Sequence, residues 1–385
     1  MTLRTAGRIA EIADDWSATL PEHSLLTLPP WLATDDEGRT TPVRYALTGE
    51  PGAGAGLVAA LVEAGAFPTN DPIALLLNGE LEAGADPDGL AAIEAARADL
   101  AGKLGTAGYP AAASTLPGGY LPGLVGDLTP ARTGELLDTL TDTAREWDCP
   151  VVSVLHVPDG SPLVPELERR GFVGGAFLAQ ATLELTATDF DGYLAALPRR
   201  RRNNIRRERR VFAEAGLNVS VDAIGSRGAD MAALHAEQLR SYGYHHITTE
   251  RLLGLMERIE RHLAPWCRVL VAERDGALEA FALGYEYAGE LHLKMTGFSR
   301  YAQENFGYFA MSYYSLIEYA LHAGYSSIVY GPLAYPAKVF RGCTLAPRSS
   351  YLLVPEQLRE QVGHLAGLID RHQRAAFAVR GAADR

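Results

Sequence analysis

Three short stretches between residues 267 and 298 restrict the fold more than any other part of the chain. Cys267–Glu273, Ala280–Tyr287 and Leu291–Phe298 are rich in β-branched, aromatic and other apolar residues, with a few charges set among them. Arg274-Asp-Gly276 and Ala288-Gly-Glu290 separate them, and both carry the Gly that a tight hairpin turn requires. The spacing predicts three antiparallel strands in succession, which excludes an all-helical chain. The sheet must then bury a face against something else, and helical patterns on either side supply it. Upstream, Leu217–Ile224 reads as a strand, and Asp230–Tyr242 and Thr249–Leu263 as helices. Downstream comes a polar loop from Ser299 to Gly307. A periodic helix follows, with Phe309, Tyr313, Leu316, Ile317, Ala320 and Leu321 on one face, ending at Gly324. Ser326–Tyr330 and Ser349–Val354 read as strands and Gln357–Phe377 as a closing amphipathic helix.

The first half shows a weaker version of the same alternation. Val43–Leu47, Leu57–Val62, Ile73–Leu77 and Val151–Val157 read as strands, and Asp86–Leu104, Thr133–Trp147 and Pro165–Arg170 as helices. The glycines of Gly49–Gly56 alternate and lead into an apolar run, so they suit a hairpin loop rather than a dinucleotide fingerprint. Tyr109–Pro122 reads as a Gly/Pro-rich loop. A chain of 385 residues exceeds one ordinary core, and the predicted division is residues 1–180 and 181–385.

Composition narrows the class. With 47% apolar and 21% charged residues the chain is globular. No apolar leader, and no apolar run of spanning length, is visible. Cys149, Cys267 and Cys343 lie far apart with no C-x-x-C spacing, which suits a reducing cytoplasm and implies neither disulfides nor a zinc site. Tyr244-His-His246 has no carboxylate or thiol at ligand spacing, so no metal is expected there.

The net charge of -12 conceals one basic segment. Arg199–Arg210 holds eight Arg and one Glu, and the remaining residues carry 27 basic against 46 acidic groups. Helical periodicity extends this segment to 199–215, with Ile205, Phe212 and Ala215 as a narrow apolar stripe and Gly216 as its end. Such a helix attracts anions locally and does not make the protein a general DNA binder. A second cationic stretch follows the strand Ser326–Tyr330. Gly331-Pro332 breaks that strand, and the loop behind it carries Tyr335, Lys338, Arg341 and Gly342. Lys and Arg so close together suit a phosphate or carboxylate.

The order of the second half resembles the GNAT superfamily of N-acyltransferases, and more closely its two-domain Fem-like relatives, the peptidoglycan aminoacyltransferases. Three pieces carry the resemblance: the basic helix from Arg200 through Ala215-Gly216-Leu217, the helix Met311–Gly324, and the closing Gly331, Tyr335, Lys338, Arg341, Gly342 pattern. It covers about residues 180–355. It implies an α/β fold of two tandem GNAT-like domains, each a mixed, largely antiparallel sheet flanked by helices, the first a degenerate copy. It also implies a bacterial, cytoplasmic acyltransferase with no permanently bound cofactor. The co-substrate would be acyl-CoA, or alternatively aminoacyl-tRNA, and the acceptor an amine on a small metabolite or cell-wall precursor. Gln303-Glu-Asn-Phe-Gly-Tyr308 departs from the glycine-rich turn usual in acetyl-CoA enzymes, having a single glycine. Asn305, Phe306, Gly307 and Tyr308 are still expected at the donor, through backbone N–H groups at a helix start.

Attack of an amine on a thioester or ester needs a proton acceptor, held reactants and a stabilised oxyanion. The charged residues Glu286 and His292 on the central strands are the candidate acceptors, with Lys294 beside them. Tyr335 and Lys338 complete the expected catalytic set. Arg341, Gly342, Gly331, Arg202 and Arg206 are expected around a substrate phosphate or carboxylate. A non-catalytic RNA-binding or scaffold protein, with the Arg helix as its whole function, is the alternative from another class.

Overall fold

The computed structural model describes residues 3–20, 24–83 and 87–382. Its thirteen strands are β1 (Arg4–Ala6), β2 (Val43–Thr48), β3 (Ala55–Val62), β4 (Ala111–Ser114), β5 (Leu124–Gly126), β6 (Val151–Pro158), β7 (Val173–Glu184), β8 (Asn218–Asp222), β9 (Cys267–Arg274), β10 (Ala277–Tyr287), β11 (Glu290–Phe298), β12 (Ser327–Gly331) and β13 (Thr344–Leu353). The chain forms two compact units. One is Met1–Gln180 together with Leu345–Arg385; the other is Ala181–Thr344. The sequence reading kept 181–385 together. The chain instead returns its last segment to the first unit, where β13 pairs antiparallel with β6.

In the first unit the strand order is β1-β2-β3-β4-β6-β13-β7, with β5 on β3. Neighbours are antiparallel from β1 to β4, whereas β4 and β6 run parallel. The helix Pro130–Glu146 starts with Pro130 in its first turn and the Thr129 hydroxyl as its cap. It buries Leu136, Leu137, Leu140 and Ala144 against Leu57, Val152 and Val154. Each such leucine contributes about 1.5–3 kcal/mol. Two expectations fail in this unit. Ile73–Leu77 is not a strand but the centre of a helix, Pro72–Asn78, because Asp71 caps the Ile73 and Ala74 N–H groups and Pro72 sets the first turn. The loop expected from Tyr109 contains β4, and β7, Val173–Glu184, was not among the expected strands. The helix expected from Asp86 runs Pro87–Leu104, and Asp86 itself lies outside the described residues.

In the second unit the last residues of β7 lead into the order β7-β12-β11-β10-β9-β8. The three predicted strands form the expected meander. Its two turns place Asp275-Gly276 and Ala288-Gly289 at positive φ (52° and 81°, 50° and 82°), the tight hairpin geometry. Helices Gly228–Ser241 and Thr249–Leu263 pack through Ala232, Ala236, Leu239 and Leu252. The arginine-rich helix spans Arg199–Glu214. Its buried stripe is Arg201, Ile205, Glu208 and Phe212, so two charged residues occupy positions that the sequence reading gave to solvent. The fold is thus mixed α/β with largely antiparallel sheets, as expected. No helix among the described residues is long and apolar enough to cross a membrane.

Candidate active site

Strands β11 and β12 run parallel, yet pair only at Glu290↔Ser327, Leu291↔Ile328 and His292↔Val329. Past His292 they part, and β11 continues to Phe298 with β10 on one side only. The register against β10 shifts so that Leu293 and Met295 face Gly284 and Leu283, leaving Lys294 as an extra, bulged residue. Burial pushes the Lys294 ammonium down to about 8. The fork therefore exposes backbone hydrogen-bonding groups beside the half-buried Lys294.

The crossover from β11 to β12 is helical over residues 307–323. It starts behind Phe306, which is left-handed at φ 62°, and no side chain caps it. Gly307 is required there, because a Cβ would lie 2.6 Å from the Ala302 carbonyl oxygen. The middle turn, Ala310–Ser315, is wound as a π-helix, a device frequent at functional sites. It buries Ser312, Tyr313 and Tyr314. The Tyr313 ring lies 5.0 Å from that of Tyr330. The buried hydroxyls of Tyr330 and Ser312 have no hydrogen-bond partner.

The segment behind β12, expected as a display loop, is largely a helix, Tyr335–Phe340. Its cations turn inward. Lys338, 6% exposed, donates to the carbonyls of Tyr330 (3.2 Å), Gly331 (3.0 Å) and Pro332 (2.7 Å). All three of its donors are thereby used, and burial lowers its pKa to about 8. Arg341, 2% exposed, donates to Glu208 Oε2 (3.0 Å), the Tyr314 hydroxyl (2.7 Å) and the Ala337 carbonyl (2.9 Å). The Tyr314 hydroxyl donates in turn to Glu208. Phe309 and Tyr313 face the guanidinium at 4.0 and 4.6 Å. Arg341 was expected at a substrate anion; in the structure a carboxylate of this chain takes that place. Tyr335 is 1% exposed and also interior. Gly331 and Gly342 sit at φ 68° and 92°, and that backbone shape explains the glycines without a ligand.

The other expected residues separate in the same way. Arg202 donates to the Leu197 carbonyl at 2.6 Å, closing the preceding helix, while Arg206 is exposed. The Glu286 carboxylate is held by Arg268 and the Tyr325 hydroxyl, which leaves it no role as a free base. His292 stands at the fork itself, its Nε2 3.2 Å from Glu290 Oε2, and this contact holds the Glu290 carboxyl below its usual range. Asn305 Nδ2 donates to the Tyr301 carbonyl at 2.9 Å, and Phe306 lies under the Arg207 guanidinium at 5.6 Å. Tyr308 packs edge-on to Phe298 and Tyr313, and burial raises its pKa. Among the described residues, no cluster of His, Cys, Asp and Glu could hold a metal ion. Sequence reasoning missed Glu208, Ser312, Tyr314 and Tyr330. Of these only Glu208 had a signal, its place at helical spacing from Arg201, Ile205 and Phe212.

Residues 199–339 match the family model of an acetyltransferase (GNAT) domain. No curated protein matches the sequence. Among solved structures, FemX superimposes with a TM-score of 0.55 at 11% identity, over 93% of this chain and 99% of that one. A conserved protein of unknown function from Bacteroides thetaiotaomicron gives 0.51 at 12% identity, over 92% and 100%. Residues 199–339 are thus similar to an acetyltransferase (GNAT) domain, and the chain shares its fold with FemX.

Proposed function

We propose that the protein is an N-acyltransferase that moves an acyl group from acyl-CoA to an amine of a small metabolite or cell-wall precursor. The observation that carries this reading is the fork, where three residue pairs are followed by an unpaired β11 edge. An amide-bearing donor arm can add to that edge by main-chain hydrogen bonds, as peptides add to open sheet edges. Its carbonyl then lies near backbone N–H groups that stabilise an oxyanion. Donor phosphates suit the uncapped helix start at Gly307. His292, steadied by Glu290, accepts the proton of the attacking amine. The new C–N bond forms as the C–S bond breaks, and the thiolate leaves to take up a proton. Lys338 acts as a positioning residue by gathering the carbonyls that end β12.

A second reading has aminoacyl-tRNA as donor. It is favoured by Arg199, Arg200, Arg206 and Arg210, which stay exposed on one helix of an acidic chain. Polyanion binding releases counterions and weakens steeply with salt. The deciding experiment is amide formation with each donor at low and moderate salt. Turnover of acyl-CoA with a shallow salt slope supports the first reading. Turnover of charged tRNA alone, lost with salt or with Arg206→Gln/Arg210→Gln, replaces it by the second.

A further inference from the structure

Alternate residues of β10 bond β11 and β9. The Ser299 N–H donates to the Glu279 carbonyl at 2.7 Å and the Glu286 N–H to the Trp266 carbonyl at 2.9 Å, which sets the parity of the two ladders. In that alternation Gly297 exchanges hydrogen bonds with Phe281, while its neighbour Thr296, opposite Ala282, exchanges none. The Thr296 N–H and C=O therefore turn away from β10, into the gap that opens where β11 and β12 part.

The helix Gly228–Ser241 reaches this point with two side chains. His235 Nδ1 lies 2.7 Å from the Thr296 carbonyl oxygen. One turn on, the Gln238 amide meets the Thr296 hydroxyl, Nε2 at 3.2 Å and Oε1 at 3.3 Å. The helix comes this close because residue 297 has no side chain: a Cβ there would stand 2.8 Å from Leu234 Cβ and 2.4 Å from Phe281 Cε1. A carbonyl oxygen only accepts, so the His235 proton sits on Nδ1 and Nε2 keeps its lone pair. Nε2 has no hydrogen-bond partner among the described residues, and it is not one of the polar atoms sealed in the interior. Burial of the rest of the ring holds its pKa below the ordinary histidine value, which keeps the imidazole neutral at pH 7.

The imidazole changes what the open edge offers. An extended arm lying along β11 finds the Thr296 N–H as a donor, but the carbonyl of the same residue is taken by the ring. The acceptor it meets in that place is Nε2. The geometry points to His235 as a residue that contacts the acyl donor, its Nε2 accepting a hydrogen bond from an amide N–H of the CoA arm. This contact rests on the acyl-CoA reading above and fixes where along β11 the arm is held. Thr296 stands four residues past the last parallel pair at His292, about 13 Å at the rise of a strand.

The test uses the full chain and CoA itself, whose arm carries the same amides whatever the acyl group. With labelled histidine, NMR should show His235 as the Nδ1–H tautomer in the free protein, and CoA should move its Nε2 signal saturably. Calorimetry then compares two variants. In His235→Asn a side-chain N–H still reaches the Thr296 carbonyl but nothing stands where Nε2 stood, so affinity for CoA should fall about tenfold with Tm unchanged. His235→Gln carries an amide near the Nε2 place and gives up the Thr296 bond, so it should keep more of the affinity and lose some stability. If His235 only fastens the helix to the strand, the order is reversed and His235→Asn binds CoA like the wild type. That reversal, or CoA binding that leaves the Nε2 signal unmoved, overturns the contact and leaves the acyl-CoA reading standing. No binding of CoA to the wild-type protein removes both. Should a variant fail to fold, the wild-type titration decides alone.

Discussion

Replacing Arg341 by alanine distinguishes an interior clamp from a substrate contact. The guanidinium is the partner of Glu208, and both groups are nearly fully buried, at 2% and 4% exposure. Removing it strands a carboxylate away from water, and breaking one side of a buried pair costs about 3–5 kcal/mol. For a unit of this size each kcal/mol corresponds to about 2–4 °C in Tm, so a fall of about 10 °C is expected. Scanning calorimetry is the assay, because two units can unfold in separate transitions and only that of the second should move. The apolar set Glu208→Leu/Tyr314→Phe/Arg341→Met removes every member of the hydrogen-bonded triad at once. It should recover at least half of the loss, since the penalty lies in leaving a partner unpaired rather than in lacking the pair. An Arg341→Ala protein with unchanged Tm but no activity would refute the clamp and return Arg341 to the substrate.

His292→Gln should lower kcat by about 10²–10⁴-fold with little change in Tm, read from initial rates and a melting curve. Lys338 has a folded pKa of about 8 against an ordinary 10.5, so between those values the unfolded chain binds the extra proton. Its contribution to stability therefore rises as pH climbs from 8 to 10.5, and urea titrations should show that slope flattened in Lys338→Met. Gly342→Ala forces a side chain into φ 92° and should cost about 1–3 kcal/mol, measured by urea denaturation.

What could be read from the chain follows from which forces are local. The meander β9–β11 was legible because its apolar runs are long and its turns carry Asp-Gly and Ala-Gly at the tips. β4 was not, since Ala111-Ala-Ala-Ser114 has no strand preference of its own and is held by its neighbours β3 and β6. The helix at Pro72 hid behind an apolar run because Asp71 and Pro72, its start signals, fell outside the window that looked most β-like. At the candidate site, His292 was singled out as a charged strand residue, but its place at the fork was not legible, because the parting of two strands is a property of pairing. Lys338 and Arg341 were singled out by charge as substrate contacts, whereas the structure turns both inward. Sequence gives their charge but not whether solvent or the chain's own carbonyls and Glu208 will satisfy it. Glu208 was passed over because charge outweighed its position in the helical stripe.

The second unit enters and leaves through neighbouring residues, with the Thr344 hydroxyl 3.3 Å from the Thr182 carbonyl oxygen. It is inserted into the first as a loop is inserted between two strands. On the ribosome the order of completion is therefore reversed relative to the order of the sequence. The first unit has its opening 180 residues early but lacks β13 and the helix Glu356–Ala382 until synthesis nears its end. The inserted unit, whole by Thr344, can close before its host. A chain stopped after residue 344 would keep the whole β11–β12 fork and still lose β13, the strand beside β6, from its host unit.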